Sequence, residues 1–152
     1  MNIDGKALAQ ELRDSLAVEV KQLQDERGIT PGLTVILVGE DPASQVYVRN
    51  KVRQTKEVGM ISNEIRMPAE TSQQALLDEL DKLNTDPAVH GILVQLPLPK
   101  HIDEALIIDT ILPEKDVDGF HPMNSGRLCN GDDAALVPCT PQGCVLLAKK
   151  HL

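Results

Sequence analysis

The stretch LTVILVGEDPASQVYVRNKVRQTKEVG, residues 33–59, joins a short apolar run to a segment with helix signals at both ends. The run over residues 33–38 is apolar apart from Thr34 and is rich in β-branched side chains, which is typical of a strand buried on both faces of a parallel sheet. Asp41 and Pro42 form a turn that offers a helix start, and Gly59 is placed to end that helix. This order of elements predicts an α/β fold.

The same alternation of helix and strand signals continues before and after this stretch. Upstream, leucines and valines recur at helical spacing between Asp4, a candidate N-cap, and Gly28, a candidate stop. Downstream, we expect strands over 61–67 and 91–96, separated by a helix that Thr71 caps. The predicted architecture is a mostly parallel sheet with helices on both faces, in three layers.

The remainder of the chain has weaker signals. A short helix is expected over 103–112, and Leu96-Pro97 and Leu98-Pro99 are both candidates for a cis peptide bond. Residues 113–133 show no long period and are expected to form an ordered loop region. Thr140 is a candidate cap for a last helix that Pro141 opens.

Composition limits the classes of function. The chain has 152 residues and 41% hydrophobic content, but one Phe, one Tyr and no Trp, so its core must be aliphatic. A formal charge of −8 argues against nucleic acid as a partner. The three cysteines are odd in number and form no CxxC pair, so neither a disulfide framework nor a zinc site is indicated. With neither a signal peptide nor a membrane-spanning window in the sequence, a cytoplasmic location is expected.

Tyr47 and Lys51 stand four residues apart on the helix of the first stretch, so both side chains project from one face. Four of the fifteen basic residues fall within 49–56, which would suit a small anionic ligand. Lys51 could be an ordinary solvated lysine, and Tyr47 could be ordinary packing. If their face is instead partly desolvated, Lys51 could transfer protons near neutral pH.

Gln95 and Asp118 are two further candidates. Gln95 is a polar residue at the end of an apolar strand, where open α/β sheets place ligands, although it could simply bond a loop backbone. Asp118 could help build a turn with Asp116, or it could accept two parallel hydrogen bonds from the edge of a heterocycle. Acidic residues beside His121 also invite a metal site, but their spacing is not diagnostic, and none is predicted.

Four collinear motifs give the chain a specific resemblance. YVRNK at 47–51, GILVQLPLP at 91–99, KDVDGFHPMNSGRL at 115–128 and PCTPQG at 138–143 resemble the bifunctional methylenetetrahydrofolate dehydrogenase/methenyltetrahydrofolate cyclohydrolase family, called FolD in bacteria. The resemblance covers essentially the whole chain. One departure is Gln54-Thr55, where the family often has Ala-Cys.

The resemblance implies an activity and a substrate. Enzymes of this family oxidise 5,10-methylene-tetrahydrofolate with NADP and hydrolyse the methenyl product to 10-formyl-tetrahydrofolate, in the one-carbon metabolism that serves purine biosynthesis. The alternative is a stand-alone folate-binding module without turnover. The resemblance also implies a homodimeric full-length enzyme.

It further implies roles for individual residues. Lys51 matches the catalytic lysine, with Tyr47 and Gln95 beside it, and Asp118 matches the carboxylate that holds the pterin. Val94 and Leu96 would flank the folate, and Thr140 would contact the edge of the nicotinamide.

The resemblance also implies how the domains are arranged. Residues 1–140 would form the folate-binding catalytic domain, and 141–152 would begin the helix leading to an NADP-binding Rossmann domain beyond Leu152. No GxGxxG-like turn is present in the chain, so we expect it to show no NAD(P)-dependent dehydrogenase activity by itself.

Overall fold

The computed structural model describes residues 3–151, which form one three-stranded sheet and six helices. The strand order is β2-β1-β3, and both pairings are parallel. The α/β prediction is therefore confirmed. The strands are β1 Gly32–Val38, β2 Ile61–Met67 and β3 Gly91–Val94, and the helices are α1 Gly5–Arg27, α2 Pro42–Glu57, α3 Gln73–Thr85, α4 Glu104–Thr110, α5 Pro122–Cys129 and α6 Cys139–His151.

The central strand β1 is covered on both faces. Ile36 and Val38 face a core that includes residues of α3 and α4, whereas Val35 and Leu37 pack against Val48 of α2. All four β1 side chains are at most 4% exposed. The continuous apolar run thus produces the predicted three layers, because neither face of β1 can be left in water.

Most helix ends lie where the sequence placed them. The Asp4 carboxylate accepts from two backbone N–H groups at the start of α1, and Gly28 ends that helix at φ 67°. The Asp41 carboxylate accepts from Ser44 N at 2.8 Å, and Gly59 follows the last turn of α2 at φ 86°. These side chains and glycines satisfy the backbone groups that each helix leaves unpaired.

The predicted cap of α3 is wrong by one residue. The Ser72 hydroxyl accepts from Ala75 N at 3.2 Å, whereas Thr71 N donates to Pro68 O. Adjacent hydroxyl residues offer the same chemistry, so sequence spacing could not separate them. Of the two X-Pro candidates, Leu96-Pro97 is cis and Leu98-Pro99 is trans.

The prediction of an irregular loop over 113–133 is also wrong, because α5 lies within it. The helix is only eight residues long, too short to show a helical period, and its cap is His121. The ring Nδ1 of His121 accepts from Met123 N at 3.0 Å, a role usually filled by Ser, Thr, Asp or Asn.

The last helix, α6, begins at Cys139, so Thr140 lies in its first turn and is not the cap. Pro141 is tolerated there because the first-turn N–H groups have no intrahelical partner. The domain division predicted at residue 140 falls inside this turn. No helix within residues 3–151 is both long and apolar enough to cross a membrane.

The segment before Asp118 is fastened to the rest of the fold by Lys115. Its ammonium donates to three carbonyl oxygens at the end of α3, those of Leu83, Asn84 and Asp86, at 2.8–2.9 Å. The backbone of Lys115 also accepts from Ile92 N at 2.8 Å, beside the outer edge of β3. One side chain thus ties the segment to a helix end, and its backbone ties it to the sheet.

We predict that Lys115→Met lowers the free energy of unfolding by about 1–3 kcal/mol, because three carbonyls, two of them in partly buried hydrogen bonds, lose a charged donor. Urea unfolding followed by circular dichroism measures the change. Lys56→Met is the matched control, since Lys56 is exposed on α2 and should tolerate the same replacement. Equal stability of the two variants would contradict this account of Lys115.

Candidate active site

Lys51 and Gln95 meet where α2 passes the carboxyl end of β3. Lys51 Nζ donates to Gln95 Oε1 at 3.2 Å. Gln95 is held by its backbone, whose N–H donates to Ile36 O at 2.9 Å, and by its side chain, whose Nε2 donates to Leu96 O at 2.7 Å. The amide is thereby oriented with its oxygen toward the lysine. Gln95 therefore bonds a loop backbone, which was one of its two alternatives, and its contact with a ligand stays a prediction.

The position of Lys51 follows from the packing of its helix. Val48 and Val52 face the sheet, and Val48 is completely buried. Lys51 lies beside this apolar stripe, so its stem is half-buried while its ammonium reaches Gln95. The helix therefore delivers a cation to the sheet surface without burying it fully.

Asp116 and Asp118 have different environments although they are two residues apart. Asp116 is 2% exposed, and its carboxylate accepts from Phe120 N, His121 N and the Asn124 side chain at 2.9–3.3 Å. Asp116 therefore builds the turn. Asp118 is half-buried and faces the same cleft as Lys51.

Burial raises the pKa of the Asp118 carboxyl above its ordinary value, because a charge is poorly solvated there. The Lys51 ammonium opposes this rise in pKa, and the neighbouring Asp116 adds to it. The net effect is a carboxyl that is charged at neutral pH less readily than an ordinary aspartate. A titratable group inside a cleft whose pKa is shifted by burial and by a specific charged neighbour is a candidate for function.

Lys51 and Asp118 lie on the wall of one cleft, with a volume of about 660 Å³. The cleft follows the α2 side of the sheet and continues to Gly32 and His90, near the amino ends of the strands, rather than stopping at the carboxyl ends. Its walls are mostly apolar, which suits a planar organic ligand with a few polar groups. Apolar lining comes from Leu16, Leu33, Val58, Leu93 and Val117.

Thr140 and Cys139 enter the same cleft from the first turn of α6. The Cys139 thiol donates to Val117 O at 3.5 Å. Partial burial raises its pKa, and the nearby Asp118 charge raises it further. The sequence had indicated neither a disulfide nor a zinc site at Cys139, and the PCTPQG motif was the one signal that this cysteine could lie near a site.

The other predicted site residues are placed differently. Tyr47 shares a helix face with Lys51 but is 61% exposed and does not line this cleft. Val94 belongs to the core, with Leu96 packed against it. Val94, Leu96 and Asp118 together line a second, very small cavity of about 10 Å³. The roles predicted for these residues stay predictions.

The chemistry of the cleft is that of an organic ligand site with a proton donor and acceptor. Lys51 and the partly desolvated Asp118 carboxyl lie on its mostly apolar walls, and Gln95, which is outside the lining, contacts Lys51. Within residues 3–151 no three His, Cys, Asp or Glu side chains converge as metal ligands would. The fold and cleft define an α/β domain with a mostly apolar cleft whose wall carries an amine and a carboxyl, two groups able to exchange protons with a ligand.

Comparison with known proteins identifies the family. The sequence profile of "Tetrahydrofolate dehydrogenase/cyclohydrolase, catalytic domain" matches residues 3–118. The chain belongs to this family. It is 58% identical over 149 residues to bifunctional protein FolD 2 of Roseobacter denitrificans and 59% identical over 150 residues to bifunctional protein FolD of Cereibacter sphaeroides.

Solved structures agree with this assignment. The FolD methylenetetrahydrofolate dehydrogenase/cyclohydrolase of Campylobacter jejuni superposes with a TM-score of 0.95 at 44% identity, covering 98% of this chain and 52% of that one. The Trypanosoma brucei enzyme, solved in complex with NADP cofactor and inhibitor, gives 0.94 at 38% identity, covering 99% and 51%. The alignments with the Roseobacter and Cereibacter proteins cover 98% and 99% of this chain but 49% and 50% of those proteins. The chain thus spans about half the length of the curated relatives it matches.

Removing the Asp118 charge should change how stability depends on pH. Because the folded-state pKa is raised, the native protein holds this proton more tightly than the unfolded chain does. The group therefore stabilises the fold at low pH, and this contribution is lost as pH rises through the raised pKa. Asp118→Asn should accordingly gain stability relative to the parent protein as the pH rises from the ordinary range of an aspartate, about 4, through the raised pKa.

Thermal unfolding at several pH values measures this gain. Asp133→Asn serves as the control, because Asp133 is exposed on a turn outside the cleft. If the Asp118→Asn protein instead loses relative stability as pH rises, burial does not dominate the environment of this carboxyl.

Proposed function

We propose that this chain binds a reduced folate in the cleft between α2 and the 117–140 segment, and that it carries the catalytic groups of a methylenetetrahydrofolate dehydrogenase/methenyltetrahydrofolate cyclohydrolase. The observation that supports this most directly is that Lys51, which donates a hydrogen bond to Gln95, lines one cleft together with Asp118. The relatives named FolD supply the reaction class. We further propose a cytoplasmic, homodimeric full-length protein; the three free cysteines are compatible with a reducing compartment.

Asp118 is the proposed anchor of the pterin. A pterin edge carries a ring N–H and an amino group side by side, and a carboxylate can accept both in a bidentate, charge-assisted pair. Two donated hydrogen bonds would also favour the charged form of a carboxyl that burial disfavours. Val94 and Leu96, which line the small cavity beside Asp118, and Tyr47, which is exposed on α2, are proposed to flank the part of the folate that extends beyond the cleft.

Lys51 is the proposed acid and base of the cyclohydrolase step. Water adds to the methenyl carbon, which forms a C–O bond, and the resulting tetrahedral carbinolamine loses one C–N bond to give the formyl product. A proton must leave the attacking water and another must reach the departing nitrogen, and one well-placed amine can serve both transfers. Gln95 holds Lys51 through its fixed amide oxygen.

The dehydrogenase step needs NADP, and the described residues do not fit a dinucleotide. The one strand-to-helix turn that offers a glycine, at Gly39, is followed by Glu40 and Asp41. The N-terminus of α2, where a pyrophosphate would bind, already holds the Asp41 carboxylate at 2.8 Å from Ser44 N. We propose that this chain contributes to that step by orienting the folate, with Thr140 beside the nicotinamide.

Lys51→Met should reduce hydrolysis of 5,10-methenyl-tetrahydrofolate by at least about 100-fold, because proton transfer is lost while the helix former is kept. Loss of the methenyl absorbance with purified chain, above a buffer blank, measures the rate. Lys56→Met on the exposed side of the same helix is the matched control.

Near-normal hydrolysis by the Lys51→Met protein would remove Lys51 from the mechanism. If the unmodified chain binds folate but does not exceed the blank, the chain acts as a folate-binding module without turnover.

The chain alone should bind neither NADP nor NAD with micromolar affinity and should show no hydride transfer from methylene-tetrahydrofolate. Calorimetric titration with each dinucleotide, beside an assay at the reduced nicotinamide absorbance, measures both quantities. Micromolar binding of either dinucleotide would contradict the conclusion that the described residues do not form the dinucleotide site.

A further inference from the structure

Asn124 is a completely buried polar residue in the first two turns of α5, outside the cleft lining. Its side chain connects three separate parts of the chain. Nδ2 donates to Pro113 O at 2.8 Å and to Asp116 Oδ2 at 2.9 Å, and Oδ1 accepts from Leu136 N at 3.4 Å. A buried amide that satisfies three partners is expensive to remove, because each partner then loses its hydrogen bond.

Two of these partners lie just before groups that face the cleft. Asp116 precedes Asp118 by two residues, and Leu136 precedes Cys139 by three. Between them the backbones touch, since a side-chain carbon added at Gly119 would lie 2.6 Å from Leu136 O and 2.7 Å from Pro138 N. The amide of Asn124 therefore spans the same two segments that Gly119 brings into contact.

The orientation of Asp118 depends on the turn that Asn124 supports. Asp116 Oδ2 accepts from both His121 N and Asn124, so the Asn124 donor fixes the carboxylate that closes the turn. The Gly119 N–H also donates to Asp116 O at 3.2 Å, directly after Asp118. The Asp118 side chain takes part in none of these hydrogen bonds, so the backbone of the turn determines its position.

We propose that Asn124 is a positioning residue for the substrate, acting through Asp118 rather than by contact. This inference rests on the proposed function, because it takes Asp118 as the pterin-binding carboxylate. Only a side chain with a donor and an acceptor on one planar group can serve the Asp116, Pro113 and Leu136 partners together. Leucine supplies neither group, and aspartate would place a second carboxylate against Asp116.

A double-mutant cycle in the full chain separates positioning from general stability. The probe is 5-formyl-tetrahydrofolate, a stable reduced folate, and its dissociation constant is measured by calorimetry. The four proteins are the parent, Asn124→Ser, Asp118→Asn and the double variant. Serine is chosen because it keeps a small polar group at the site; Asn124→Ala is made in parallel.

We expect Asn124→Ser to raise the dissociation constant about tenfold in the parent and less than about twofold in the Asp118→Asn background. Two controls account for stability. Asn130→Ala, at the exposed end of the same helix, should change neither affinity nor melting temperature, and Ile107→Val, in the core of the opposite face, should lower the melting temperature without changing affinity.

Equal changes in both backgrounds, or an unchanged affinity of Asn124→Ser in the parent, would overturn the proposal while leaving the proposed function in place. Full loss of affinity in Asn124→Ser with no effect of Asp118→Asn would also overturn it. A parent chain that does not bind the probe would overturn the proposed function and this inference together.

Discussion

The burial of β1 on both faces is the constraint on which the rest of the structure depends. Its alternate side chains belong to two different cores, so the chain must supply a helix layer on each side. On one of these sides the buried Val48 packs against the sheet, so its helix, α2, lies across that face. The packing of the α2 valines against the sheet allows the helix only one orientation about its long axis. In that orientation Lys51, one turn after Val48, reaches Gln95. The candidate catalytic contact is thus a consequence of core packing.

A second set of contacts, formed by polar groups, determines the path of residues 113–121, which apolar packing does not determine. Residues 113–121 have few buried apolar side chains, so hydrogen bonds decide their path. Lys115 attaches the segment to the end of α3, and the Asp116 carboxylate closes the turn by accepting from Phe120 N and His121 N. Such a network can hold a loop as firmly as a core does, provided that every member is satisfied. The cleft is consequently built from a packed helix on one side and a hydrogen-bonded loop on the other.

Sequence patterns could predict the parts that repeat and could not predict the parts that depend on one contact. The apolar run of β1, the Asp41 cap and the glycine after α2 have local physical causes, and the structure agrees with them. Whether Thr71 or Ser72 caps α3 depends on which hydroxyl reaches an N–H, and α5 is too short for a period. The Lys51–Gln95 contact joins residues 44 positions apart, so the motifs could suggest it only through a resemblance to known enzymes. Asn124 lies within the 115–128 motif, but its role carried no signal, because an asparagine in a turn-rich segment is usually a turn residue.

The contrast between Asp116 and Asp118 indicates how one short motif can divide structural and functional work. The buried Asp116 carboxylate has its hydrogen bonds supplied by the protein, so it gains nothing from a ligand. Asp118 is raised in pKa by burial and is relieved only by the Lys51 charge, so its solvation is incomplete in the free protein. A ligand that presents two adjacent donors would complete that solvation, and the hydrogen bonds it makes would then count more than they do in water. A carboxylate that is incompletely solvated and lies on a rigid turn, such as Asp118, is therefore better suited to binding a ligand with two adjacent hydrogen-bond donors. A carboxylate whose hydrogen bonds are already supplied by the fold, such as Asp116, is less suited to this.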